Sequence, residues 1–465
     1  MRAWLGRRDR VDAAFAISAV VAAALITRLG LGLTFFADEW AFITSRSLTD
    51  PGTWFTPHNE HWSTLPIIVY RLLVETVGLG SYVPYLAVVT ALHVVVASLV
   101  YILVRWRSSP MVGFGAGLMV LFLGSGFENL YWGFQIGFLG SMAAGLGAMA
   151  VLYGPPSVRK SIAGVALLVV GLMCSGVGVT FILVVGVELL LDDRRRSLTP
   201  LMAIPTAVFV AWYAVIGRNG LQTFAFVRSP LSAKAWEDAA PTVVAGIGNA
   251  AGAVGGVGPA IGLWVGMAAV AAVLLWIASD PHGPGTARFL GCLAGIVLQY
   301  TLIGVLRGGL VTDVTNYTRY TYVSAVLLIV GASALIPRTA GWRPARRRRL
   351  ALLGGGSLLA LSLVWNVRLL SDGRDLFGER AAMTRALVTV GLERPLPAGV
   401  DPDRSLVLVP SPTELGRIVA RYGSPLGDLL APGAVEPIPP DVAREALRRL
   451  IEGAPIPLPE DAGSP

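Results

Sequence analysis

Ten residues of this sequence have types and spacings that could do chemistry, and five of them fall close together near the N-terminus. Asp38 and Glu39 are adjacent, flanked by Phe35, Phe36 and Trp40. The run Pro57-His58-Asn59-Glu60-His61-Trp62 follows, and holds two of the four histidines in the chain. A carboxylate at a membrane–water boundary can take the proton of an acceptor hydroxyl and so act as base in a direct displacement at the anomeric carbon of a sugar. A second carboxylate with histidines, here Glu39 with His58 and His61, is a donor set for a divalent cation such as Mg2+ or Mn2+ that would neutralise a departing phosphate. The competing reading of the same residues is plainer: polar helix ends edged by the aromatic belt of a membrane interface.

Further along, Glu128, Tyr131 and Gln135 are spaced by three and four. On one helix they would share a face and wall a cavity, or simply join two helices by hydrogen bonds. Arg307, Arg319 and Tyr320 stand at the ends of apolar runs, where a guanidinium fork suits a phosphate. An arginine there can equally snorkel to lipid headgroups. The chain has no phosphate loop, no Gly-x-Ser-x-Gly elbow and no His-Glu-x-x-His. Gly246-Ile247-Gly248 imitates a dinucleotide fingerprint, but no βαβ pattern surrounds it. Cys174 and Cys292 both lie in apolar runs and read as buried small hydrophobes.

The elements that must position these residues are membrane helices. Of 465 residues, 54% are hydrophobic and only 14% charged, against about 25% charged in soluble domains. The net charge of +8 does not point to nucleic acid, because the arginines gather in short loops between apolar runs: Arg7–Arg10, Arg105–Arg107, Arg194–Arg196 and Arg343–Arg349. That is the positive-inside pattern. Letting it set the orientation, we read about eleven spans from a cytoplasmic N-terminus, with a first external loop over 35–81 whose segment 66–79 lies on the membrane surface. The stretch 161–191 becomes two short helices broken at Cys174–Gly178, because glycine-interrupted helices are tolerated where they line a cavity. Segment 218–258 reads as a loop, and the last span as 350–369. The transmembrane unit is thus 1–370, and 371–465 a small α/β extracytoplasmic appendage, with a strand at Leu406–Val409, an N-cap at Ser411 before Pro412, and a disordered end.

This arrangement resembles the GT-C class of membrane glycosyltransferases, and three segments carry the likeness: Asp38-Glu39-Trp40, Asn59-Glu60-His61 and Glu128–Gln135. The resemblance implies an all-α polytopic fold and a polyprenyl-phosphate sugar as donor. It also implies inverting transfer on the outer face to a glycan, lipid or protein acceptor. By it Asp38 is the base, Glu39 assists it or binds metal, and His58, Glu60, His61, Glu128, Gln135, Arg307, Arg319 and Tyr320 contact donor or acceptor. A lipid phosphate is a good leaving group, so one base and charge stabilisation suffice. A transporter or flippase of lipid-linked or small polar cargo is the alternative, which the broken helix would suit.

Overall fold

The computed structural model describes residues 2–219, 232–279, 285–307, 317–336, 345–406 and 409–453. Arg343 and the final twelve residues, the end read from the sequence as disordered, lie outside them. Among the described residues the protein is helical and contains no strand. An α-helix satisfies all its own backbone groups, which is the condition for crossing hydrocarbon. Six helices are long and apolar enough to cross, and a bent pair makes a seventh.

Helix α1 (Arg2–Gly30) leads into α2 (Asp38–Thr44), the short α3 (Gly52–Phe55) and α4 (Thr64–Thr76). Then come α5 (Val83–Arg107), α6 (Pro110–Leu121), a single turn α7 (Glu128–Tyr131) and α8 (Ile136–Val151). The expected break is present: α9 (Val158–Leu172) stops, four residues reverse the chain, and α10 (Val177–Leu191) returns. Gly178 permits this return, since a Cβ there would lie 2.6 Å from the backbone of Gly171.

Helix α11 (Ala203–Val215) is followed by α12 (Ala233–Glu237), α13 (Ala239–Gly255) and α14 (Pro259–Ser279). The expected loop over 218–258 is therefore largely helix where it is described. Its glycines are contact points rather than hinges: Gly246 lies under the Tyr300 ring, and Gly248 and Gly262 let α13 and α14 pack backbone to backbone. A 100° bend separates the two helices.

After α15 (Thr286–Arg307) and α16 (Thr318–Ala334), α17 runs unbroken from Ala345 to Leu392. The expected span end at 369 and unit boundary at 371 fall inside that helix, because the compositional change there brings no proline or helix stop. In the tail, α18 (Pro412–Tyr422) and α19 (Pro440–Glu452) form as the sequence suggests, and Ser411 Oγ accepts from Glu414 N at 3.3 Å. The expected strand is not found. Leu406 and Val409 pair with each other in an isolated bridge and the two residues between them lie outside the described residues, so among the described residues the appendage contains helices and no strand.

Hydrogen bonds sort the helix ends into two groups. At one end Arg105 pairs with Asp12, Ser108 Oγ donates to Ser333 O and Ile336 O at 3.0 Å, and Arg195 donates to Leu152 O at 3.2 Å. At the other end Leu65 N donates to Met173 O at 3.1 Å, placing the segment after α1 on the α9–α10 break. The tail closes on the same end: Leu79 N donates to Tyr422 O at 2.7 Å and Leu429 N to Gly80 O at 2.8 Å.

Candidate active site

The two adjacent carboxyls point in different directions. Successive residues on a helix are about 100° apart, and here they begin α2. Glu39 is fully buried. Its carboxylate accepts from Phe36 N at 2.7 Å, from the Tyr82 hydroxyl at 2.8 Å and from the Tyr70 hydroxyl. Burial pushes its pKa up to about 8 against those three hydrogen bonds, and the Asp38 charge adds to the rise. Asp38 keeps a third of its side chain exposed and meets His58 Nε2 at 3.2 Å. Burial by itself raises an acid, but the His58 contact and the charges of Arg319 and Arg307 outweigh it, so its pKa falls below the ordinary value. One carboxyl is held neutral and the other ionised, a division that marks acid–base sites.

Backbone strain sits next to these acids. Ala37 (φ 51°) and Asn59 (φ 53°) are the positive-φ non-glycine residues among those described. One precedes Asp38, the other Glu60. At Asn59 the chain doubles back, with His58 N donating to His61 O at 3.1 Å and His61 N to His58 O at 2.9 Å. This turn directs His58 to Asp38 and His61 toward the α9–α10 break. Gly176 leaves room for the latter, since a Cβ there would be 2.8 Å from His61 Nδ1. Burial lowers the His61 pKa to about 4. Burial opposes ionisation of Glu60 too, yet His61 and Arg307 hold its pKa down to about 2.

Arg307 joins this cluster from α15, ion-paired to Glu60 and donating to the Tyr320 hydroxyl at 2.8 Å. Arg319 lies on the other side of Tyr320, its guanidinium 4.9 Å from that ring and 4.7 Å from the Tyr317 ring. Glu128 fixes it, accepting from Arg319 Nη1 at 3.0 Å and from Arg319 N at 2.9 Å. A connected row results: Glu60, Arg307, Tyr320, Arg319, Glu128, with an acid at each end and the two arginines on either side of the tyrosine.

Two expectations are corrected by this geometry. Glu128, Tyr131 and Gln135 do not share a helix face, because α7 ends at Tyr131 and 133–135 form a separate 3-10 turn. Tyr131 turns away to Leu370 O, and Gln135 is fully buried with both amide atoms unpartnered. The set Glu39, His58 and His61 is not brought together as a cation site either: Glu39 is enclosed by tyrosines, while His58 faces Asp38 and His61 faces Glu60 and Arg307.

A cavity lies beside the cluster, of which the sequence signalled only the broken helix at Cys174–Gly178. Its volume is about 440 Å3. Phe138, Val177, Phe209, Leu302 and Ile303 make its apolar wall, and Glu60, His61, Gln299, Arg307 and Tyr320 its polar end. Ser175 and Gly176 of the helix break contribute to the lining. The apolar wall gave no such signal, since its residues come from elements far apart in sequence. No protein-family model and no curated protein matches the chain.

Proposed function

We propose that the protein is a GT-C-like inverting glycosyltransferase that uses a polyprenyl-phosphate sugar. The observation that carries this reading is the cavity itself: an isoprenoid-compatible apolar wall ending at Arg307 and Tyr320, with Arg307 also acting on the ionised Asp38. The lipid tail would occupy the apolar wall and its phosphate would meet the Arg307 fork. In the transfer, Asp38 accepts the proton of the acceptor hydroxyl as that oxygen bonds to the anomeric carbon. The bond from that carbon to the phosphate oxygen breaks, and the electron pair leaves with the polyprenyl phosphate.

A carboxylate with a depressed pKa is a weak base, but it is always ready. It suffices where the leaving group needs no protonation and charge on the phosphate is met by fixed cations. Glu39, neutral and enclosed, holds the start of α2 in place. In this reading the chain crosses the membrane eleven times, its N-terminus is cytoplasmic, and the acceptor glycan, lipid or protein is met outside.

The test is sugar transfer by purified protein and its Asp38→Asn variant in liposomes, with a panel of polyprenyl-phosphate sugars and envelope extract as acceptor. Transfer by the parent should fall by about two orders of magnitude or more in the variant. Equal rates would remove Asp38 from the mechanism. The helix break in the cavity wall favours a second reading, a carrier of lipid-linked cargo. That reading prevails if no sugar is transferred while labelled lipid-linked sugar crosses the bilayer.

A further inference from the structure

Each arginine of the row from Glu60 to Glu128 has an acidic partner: Arg307 has Glu60 and Arg319 has Glu128. Among the described residues Arg380, on α17, has no acid at ion-pairing distance, although Glu128 and Glu379 act on its charge from farther away. Among them its Nη2 is also buried without a hydrogen-bond partner. A buried guanidinium nitrogen left unpaired costs more than an ordinary lost hydrogen bond, and proteins rarely leave one so without a use.

Two aromatic rings hold this side chain in place. Its guanidinium carbon is 4.8 Å from the centroid of Phe377 and 5.2 Å from that of Phe36. Phe377 belongs to α17 itself, so the arginine is braced along its own helix. Phe36 lies two residues before Asp38, packs edge-on against Trp132, and its carbonyl accepts from Trp132 Nε1 at 3.1 Å. The arginine therefore sits over the residues that lead into the proposed base. Arg380 feels the charges of Glu128, Arg319 and the neighbouring Glu379, whereas Asp38 is stabilised by His58, Arg319 and Arg307. Asp38 is thus not the partner that Arg380 lacks. Arg319 acts on the charges of both Asp38 and Arg380.

We propose that Arg380, together with Arg319, forms an anion subsite separate from the lipid cavity, and that it receives a phosphate or carboxylate group of the acceptor. Planar, pre-oriented guanidinium groups suit both groups through paired N–H donors. The acceptor would set its anion on Arg380 and its hydroxyl at Asp38. The donor phosphate would lie on Arg307. The assignment to the acceptor rests on the transferase reading. The anion binding does not, and can be measured without any transfer.

The experiment follows the melting temperature of the full-length protein in lipid-free detergent during titration with inorganic phosphate, glucuronate, farnesyl phosphate and phosphatidylglycerol micelles. Phosphate or glucuronate should stabilise the parent, and Arg380→Gln should shift that midpoint by about tenfold or more. Arg380→Lys, which keeps the charge and loses the fork, should fall between them, and serves as the readout if the Gln variant does not fold. Farnesyl phosphate carries its own tail for the cavity, so its midpoint should be the same in parent and Arg380→Gln. A parent that ignores both soluble anions, or a Gln variant that answers them as the parent does, overturns the subsite. A response to phosphatidylglycerol alone would give Arg380 to a lipid headgroup and overturn the acceptor assignment. Failure of farnesyl phosphate to bind would count against the donor cavity and leave the Arg380 result standing.

Discussion

Asp38 and Glu39 differ by one position, and their surroundings give them opposite protonation. For Glu39 this has a consequence for stability. An unfolded glutamate ionises near its ordinary value of 4.5, whereas the folded one holds its proton to about 8. Between those values the folded state binds more protons, so stability falls as pH rises and the contribution of Glu39 is lost as pH passes through about 8. Glu39→Gln keeps the shape and one donor without the titration. Its melting temperature should vary less with pH between 6 and 9 than that of the parent, and it should retain transfer when Asp38→Asn does not. An equal loss of transfer in both variants would show that the two carboxyls act together. Ala37 makes a second prediction. Its φ of 51° suits glycine, so Ala37→Gly should be neutral or stabilise by up to about 1 kcal/mol, unlike most alanine-to-glycine changes. Denaturation in detergent would check it. At this scale the sequence was partly legible. The residue types and their clustering in two short segments could be read, because they are local, but not the turn that sends His58 to Asp38 and His61 to Glu60 and Arg307. The inward rotation of Glu39 could not, since it depends on Tyr70 and Tyr82 arriving from two later helices.

Elements place these residues through glycines that remove bulk where backbones meet. At the α9–α10 break, Gly176 admits His61 and Gly178 lies against Gly171. Gly178→Ala would drive a methyl into backbone, which cannot swing aside, and should destabilise by about 1–3 kcal/mol. Gly176→Ala meets only the edge of an imidazole, so it should cost less stability while displacing His61 and with it the polar end of the cavity. Comparing melting temperatures with binding of a short polyprenyl phosphate would separate the two effects. The break was legible because an unbroken span would have put the Arg194–Arg196 cluster on the wrong side. Helix α13 was not. A run such as Gly246-Ile247-Gly248-Asn249-Ala250-Ala251-Gly252 scores poorly by helix propensity, and it forms because its missing side chains let Tyr300 and α14 approach. The unbroken length of α17 was hidden for the opposite reason. A change from apolar to mixed composition marks where a helix leaves hydrocarbon, and the helix itself continues.

For the whole molecule, hydrogen bonds group segments at one end of the helices or the other, and in the proposed reading the arginine pattern assigns those ends to the two sides of the membrane. The tail binds the segment between α4 and α5 through backbone at Leu79 and Gly80, and through side chains where Arg71 and the Tyr422 hydroxyl meet Glu75. Arg71 is buried there and also donates to Ile43 O at 2.7 Å, tying α4 back to α2 and so to Asp38. The tail therefore braces the helix that carries the proposed base, a role invisible in a sequence where the partners are some 350 residues apart. This architecture makes a prediction about sidedness. Cys174 and Cys292 are buried, so single cysteines placed at exposed positions can be read against a quiet background. Cysteines at Asp50 in the first loop and at Arg417 on α18 should react with an impermeant maleimide from the same side, and one at Arg159 from the opposite side. Reaction of Asp50→Cys and Arg417→Cys from different sides would break the docking of tail on loop. If those two react only after the cells are opened, the orientation is inverted, the site faces the cytoplasm, and a donor displayed on the outer face could not reach Asp38.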